Sequence, residues 1–233
     1  MLPPYQTMAS LTWRQYLAHF DIILYGHLLF SLPVLILAWY FKGWFPLPDA
    51  VEVVEQFWPN LPIQLAIDYG ASFLTCITIV MVIVAMQRAI KRQPASFGSV
   101  LAEAWSLYPI VFLLSVIEFV WTVSGLAVLI IPGILISICL AFAIPAFVWY
   151  RRSPWQALQR SVSLVQAHFW ITAFYILLTQ LLVSVVVLLI TWGLPTTFWF
   201  NVFSAWLAAV CASYYTVFTV ILFNILETIE RKK

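Results

Sequence analysis

Long uncharged apolar runs alternate along this chain with short segments that carry its charges. Six runs have the length of a membrane span: residues 22–41, 63–86, 109–131, 134–150, 169–192 and 198–226. At a helical rise of 1.5 Å, about 20 residues cross a hydrocarbon core roughly 30 Å thick. Only Pro132-Gly133 separates the third run from the fourth. A Pro-Gly pair is a turn signal, so these two runs predict a tight helical hairpin. The fifth and sixth runs meet in the same way around Gly193-Leu194-Pro195.

Before each pair of runs lies a shorter, more polar segment with a helical rhythm. Trp155, Leu158, Val162, Val165 and Phe169 recur at helical spacing and share one face, opposite Gln156, Gln159, Arg160, Ser163, Gln166 and His168. Ser153 as N-cap, Pro154 at the first helical position and Gln156 closing a capping box mark where this helix starts. Phe97, Leu101, Ala104 and Tyr108 repeat the rhythm, as do Trp13, Leu17, Phe20 and Leu24, where Thr12 and Gln15 offer another capping box. Segments this short do not span, so they predict amphipathic helices in the interface plane, their stripes in lipid or against the spans.

The expected fold is therefore all-α. It is a single integral membrane domain over residues 1–233, with six spans in three hairpins, each hairpin preceded by a cytoplasmic interfacial helix. The repeat units cover about 10–86, 96–150 and 153–226. The first unit differs by an outer loop, 42–62, whose stretch 49–58 predicts a short surface helix.

Charge gives the orientation. Ten of the eleven Lys and Arg residues fall in four clusters on one side of the predicted spans: Arg14; Arg88, Lys91 and Arg92; Arg151, Arg152 and Arg160; Arg231, Lys232 and Lys233. Lys42 stands on the other side, with Asp49, Glu52 and Glu55. Short basic loops stay in the cytoplasm, which predicts a multi-pass inner-membrane protein with both termini inside. The start of the chain lacks the basic segment and cleavage site of a signal peptide, so the first run is expected to remain as a span.

Composition agrees with a lipid-facing surface. The chain is 64% hydrophobic and 9% charged, whereas soluble domains are roughly 45–50% apolar and about 25% charged. A net charge of +2, divided among the loops, gives no footprint for nucleic acid. Cys76, Cys139 and Cys211 are far apart within apolar runs and read as small packing residues. No CxxC pair exists, and no two His stand four residues apart, so neither a metal nor a cofactor is expected.

One stretch has the look of a known pattern. Ile131-Pro132-Gly133-Ile134 is followed by a span ending at Arg151-Arg152 and then by Trp155-Gln156-Ala157-Leu158-Gln159-Arg160-Ser161. This resembles the YciC-type bacterial inner-membrane family and is similar to the membrane domain beside some glycerophosphoryl diester phosphodiesterases. There a Pro-Gly hairpin precedes a short helix with an Ala-Leu-x-Arg-Ser-like motif, positions filled here by Ala157, Leu158, Arg160 and Ser161. The motif covers about forty residues, 131–170. The resemblance implies six spans and a bacterial inner membrane, and it carries no catalytic residues, because the phosphodiesterase barrel has no counterpart here.

Among candidate residues Glu118 stands out, about nine residues into the third run and so roughly 14 Å deep. An ionisable side chain at that depth is costly and faces a partner or a wet cavity. Thr179 and Gln180 lie at nearly the equivalent depth in the third unit, and His27 lies within the first run, which together make a candidate polar site. The bland alternative is a neutral Glu118 bonded across helices as packing glue. Arg151, Arg152 and Arg160 are candidates for lipid headgroups. Ser204, Ala208 and Ala212 recur every four residues and predict a close helix-packing face. Pro33 and Pro145 predict kinks within their spans.

With no catalytic constellation and few intramembrane polar groups, the expected function is a non-enzymatic accessory or scaffold protein. Such a protein would organise lipid or pack beside other membrane subunits. A small transporter or channel with its polar site around Glu118 is the alternative.

Overall fold

A computed structural model describes residues 3–44, 75–151, 153–192 and 197–232. Among them there is no strand, and the helices run α1 (Tyr5–Ala18), α2 (Phe20–Gly26), a π-helical turn (His27–Ser31) and α3 (Leu32–Trp44). They continue as α4 (Thr75–Ile90), α5 (Phe97–Val128), α6 (Ile130–Leu140), α7 (Ala143–Tyr150), α8 (Pro154–Ala167), α9 (Phe169–Thr191) and α10 (Phe198–Glu230).

Five stretches are long and apolar enough to cross a membrane: Phe20–Tyr40, Phe97–Gly125, Ile130–Tyr150, Phe169–Thr191 and Trp199–Glu230. They match five of the six expected spans. For the remaining one, 63–86, the described part begins at Thr75 and forms the apolar helix α4. The expected outer loop starts later than 42, because α3 runs on to Trp44; the rest of it, with its expected helix at 49–58, and the expected turn at Gly193-Leu194-Pro195 lie outside the described residues. The core is built from α4, α7 with the preceding Phe142, and the second half of α10, where Val80, Val84, Phe142, Ala146, Phe218 and Phe223 are fully buried. Helix α9 stands at the periphery, with most of its side chains outside the core.

The hairpin after α5 turns earlier than the Pro-Gly pair predicts. Leu129 alone is extended, and α6 begins at Ile130 with Pro132 and Gly133 already helical. Proline suits a first helical turn, where its missing N–H has no intrahelical role. Gly133 serves contact instead: a Cβ on Gly125 would come within 2.9 Å of the Gly133 Cα. The two glycines let α5 and α6 cross at backbone contact.

The segment Phe97–Tyr108 also departs from expectation. It is no separate interfacial helix but the first third of α5, which runs on through Pro109. A continuous helix can carry Pro109 when neighbours satisfy the freed carbonyl.

The other two short helices are separate, and they match one another. Both α1 and α8 are 14 residues long. Each ends in Ala-His-Phe, with His19 or His168 leaving helical geometry before the next helix starts at Phe20 or Phe169. Buried Met8, Thr12 and Tyr16 of α1 correspond in register to buried Ala157, Ser161 and Val165 of α8. The predicted α1 cap is thereby corrected: Thr12 lies mid-helix and donates to the Met8 carbonyl at 2.8 Å.

Neither short helix merely floats on the bundle end. The Tyr16 hydroxyl donates to the Val210 carbonyl at 2.9 Å and the Tyr214 hydroxyl to that of Ala9 at 3.2 Å. The Tyr5 ring packs on Phe218. These partners occupy the middle of α10, about 18 Å or more from either end at 1.5 Å per residue. Helix α8 keeps its predicted N-cap, with Ser153 Oγ accepting from the Gln156 amide. Its buried face is turned from the predicted stripe: Ala157, Leu158, Ser161, Leu164 and Val165 are buried against α6 and α7, while Trp155 is exposed.

Candidate functional site

One span carries a π bulge and another is broken, and both irregularities face one cavity. In the first, Pro33 has no N–H to give the ladder, and the helix takes up the register with a π turn. There the Leu32 N–H bonds the His27 carbonyl, five residues back. In the second, α6 stops at Leu140 and α7 restarts at Ala143, with Pro145 in its first turn. Ser161 of α8 stitches that break: its hydroxyl donates to the Cys139 carbonyl at 2.7 Å and accepts from the Phe142 amide at 3.1 Å.

Between these irregularities lies a cavity of about 680 Å³, lined among others by His27 and Ser31, by Ala141, Ile144 and Pro145, and by residues of α4, α5, α9 and α10. Three of the four residues expected to form a polar site line it: Glu118, His27 and Gln180. Glu118 is half-buried, about 15 Å before the end of α5. Among the described residues no Lys or Arg lines the cavity. His27 is buried, with Nδ1 at 2.8 Å from the Ser31 hydroxyl and Nε2 at 2.7 Å from that of Ser213.

Thr179 is the fourth, and it faces elsewhere. One residue before Gln180, it is rotated by about 100° on α9. Its hydroxyl donates to the Tyr175 carbonyl at 2.8 Å and accepts from Tyr5 at 3.0 Å, tying α1 to α9. Sequence reasoning missed the hydroxyls. Ten lining residues carry one, among them Ser115 and Thr122 on α5 and Thr75 and Thr78 on α4. Ser and Thr are unremarkable singly in a span, and only the assembled bundle brings them together.

The packing face proposed on α10 is partly open to the cavity. Ser204 and Ala208 are half-buried, whereas Ala212 is exposed and lines the cavity with Ala209 and Ser213. Cys76 is buried with Sγ at 3.1 Å from the Ser115 hydroxyl, and Cys139 and Cys211 are half-buried free thiols.

At one end of the bundle the basic residues meet acids. Glu103 of α5 receives Arg88 at 2.6 Å and also pairs with Arg151. Buried Glu227 of α10 receives Arg160 at 2.8 Å and Arg231 at 3.3 Å, and Arg160 also reaches Glu230 at 2.7 Å. Burial works against the charge of Arg160, but the carboxylates of Glu227 and Glu230 hold its pKa above the ordinary guanidinium value. Lys91 stands over the Trp149 ring at 5.6 Å. Of the three arginines expected at lipid headgroups, Arg151 and Arg160 are thus ion-paired within the chain, and Arg152 lies outside the described residues. The pairs bring together the end of α4, the start of α5, the end of α7, the middle of α8 and the end of α10; Arg14, expected on the same side, instead lies on α1 beside the middle of α10.

The motif positions acquire a structural meaning here. Ala157 and Leu158 bury α8, Arg160 anchors it to α10, and Ser161 closes the break in the α6–α7 span. Comparisons with family models, with curated proteins and with solved structures return no match.

Proposed function

We propose that this protein is a small non-enzymatic membrane carrier or channel whose solute site is the cavity around Glu118. The observation that carries this reading is the convergence of Glu118, His27, Gln180 and ten hydroxyl residues on one space flanked by a π-bulged span and a broken one. Transported solutes and coupling ions bind where interrupted helices expose backbone and polar side chains in mid-membrane. The expectation of a scaffold drew on few convergent polar groups, tight hairpins and an aromatic-rich exterior; the grouping of polar side chains around one cavity supports the carrier reading instead.

The ion-paired end of the bundle faces the cytoplasm in this reading, because short basic segments are retained there. A bacterial inner membrane is the compartment that the family resemblance implies. The second reading, an accessory subunit or lipid organiser, draws on α9, where Trp170, Phe174, Leu181, Leu188 and Trp192 are exposed along its length. Lipid tails cover such a face as readily as another subunit does, so the cavity weighs more.

The test is flux in proteoliposomes. Wild-type vesicles pass protons, monovalent cations or a small polyol faster than protein-free vesicles, and Glu118→Gln abolishes that excess while its thermal melt stays in place. Wild-type vesicles no more permeable than empty ones to any of these solutes would sink the carrier reading and leave the accessory one.

A further inference from the structure

We propose that the cavity takes an apolar organic ammonium ion, with Glu118 as its counter-charge. This rests on reading the cavity as the functional site and goes further by naming the chemistry of its occupant. The first ground is charge. Glu118 is the one Asp, Glu, Lys or Arg lining the cavity among the described residues. An anion would meet no positive partner there, and a carboxylate inside a membrane is stabilised by a cation brought to it.

The second ground is the direction of the hydrogen bonds. Thr78, Ser137 and Thr219 donate their hydroxyl hydrogens to carbonyls of their own helices, at 2.6, 2.8 and 2.9 Å. What they present to the cavity is oxygen lone pairs. Pro145 has no N–H for the Ala141 carbonyl, which is left without its helical donor at the cavity wall. Both ring nitrogens of His27 are already bonded to Ser31 and Ser213, so the imidazole adds no free donor. These polar atoms of the lining are acceptors, and an ammonium group is all donor.

The third ground is size and wall. A bare metal ion would leave most of a cavity of about 680 Å³ unfilled, whereas sites of roughly 300–1,000 Å³ hold drug-sized organic ligands. Ile79, Ile138, Ile176, Leu177 and Phe119 give that ligand an apolar bed. The charged head sits at Glu118 and the hydrocarbon body lies against these side chains.

The experiment uses the full chain in lipid nanodiscs, with binding heats corrected against empty discs. Three probes share one apolar body at neutral pH: phenylbutylammonium, phenylbutanol and phenylbutyrate. The ammonium should bind at least tenfold more tightly than the alcohol, and the carboxylate more weakly than either. Glu118→Gln should bring the ammonium down to the level of the alcohol, and Glu118→Asp should restore the preference. If the Gln variant fails to fold, the order of the three probes on wild type decides alone. Equal binding of ammonium and alcohol, or an ammonium affinity unchanged in a folded Glu118→Gln protein, overturns the cation site while leaving a solute-binding cavity. No binding of any probe above empty discs overturns both.

Discussion

The hydroxyl of Ser161 on α8 accepts the Phe142 amide at 3.1 Å, at the point where the fourth expected span breaks into α6 and α7. Ser161 is fully buried and hands its own hydrogen to the Cys139 carbonyl. One short helix outside the spans thus closes both ends of a gap in the backbone ladder. Ala141, Ile144 and Pro145 of the same break line the cavity, so the docking of α8 sets the shape of the cavity wall.

Ser161→Ala removes both bonds and leaves the Phe142 amide buried without a partner. An unsatisfied buried group costs about 1–3 kcal/mol. Unfolding in mixed detergent micelles should show a loss of that size, and the Glu118 cavity should bind its ligand less tightly as the break loosens. A variant as stable as wild type would mean that water or a shift of the backbone replaces the hydroxyl.

The hairpin between α5 and α6 supplies a second test. A methyl group on Gly125 would meet the Ile136 side chain at 2.7 Å and the Gly133 Cα at 2.9 Å. The side chain can move aside, but the backbone of Gly133 cannot do so without parting the helices. Gly125→Ala should therefore destabilise the protein by about 1–3 kcal/mol, the range of overpacked sites. Gly98, where an added Cβ meets nothing within 4 Å, is the matched control: Gly98→Ala should be neutral or stabilising. Equal melts for the two variants would mean that the hairpin crossing is looser than the structure has it.

Much of this was legible in the sequence, for reasons that can be named. Glu118, His27 and Gln180 are conspicuous because an ionisable or amide side chain in an apolar run has few acceptable places, and a shared cavity is one of them. Thr179 sits beside Gln180 in sequence but a third of a turn away in space, and depth alone does not fix that angle. Pro132-Gly133 misled because proline fits the first turn of a helix as well as the bend before it. The buried face of α8 differs from the predicted stripe because Trp155 and Val162 are more hydrophobic than Ala157 and Ser161, yet close packing on α6 and α7 favours the smaller pair. The matching Ala-His-Phe ends of α1 and α8 stand in the sequence at 18–20 and 167–169. What they mean appears only when both are seen to end a 14-residue helix with buried Thr12 and Ser161 in the same register.

The last test concerns Arg160 and Glu227, which hold α8 against the end of α10. Glu227 is buried and shared by Arg160 at 2.8 Å and Arg231 at 3.3 Å, while Arg160 also touches Glu230 at 2.7 Å. Removing Arg160 leaves a buried carboxylate with Arg231 and the Tyr150 hydroxyl and without its closer cation, whereas removing Glu227 leaves an arginine that still has Glu230. Arg160→Gln should therefore cost more than Glu227→Gln, about 1.5–3 kcal/mol for a lost bond to a buried charge. The double variant should cost less than the sum of the two, because neither neutral partner then lacks a counter-charge. A double-mutant cycle read by thermal or mixed-micelle unfolding measures that difference. Strictly additive losses would show that the pair is solvated and that apolar contacts through Ala157, Leu158 and Val165 hold α8 by themselves.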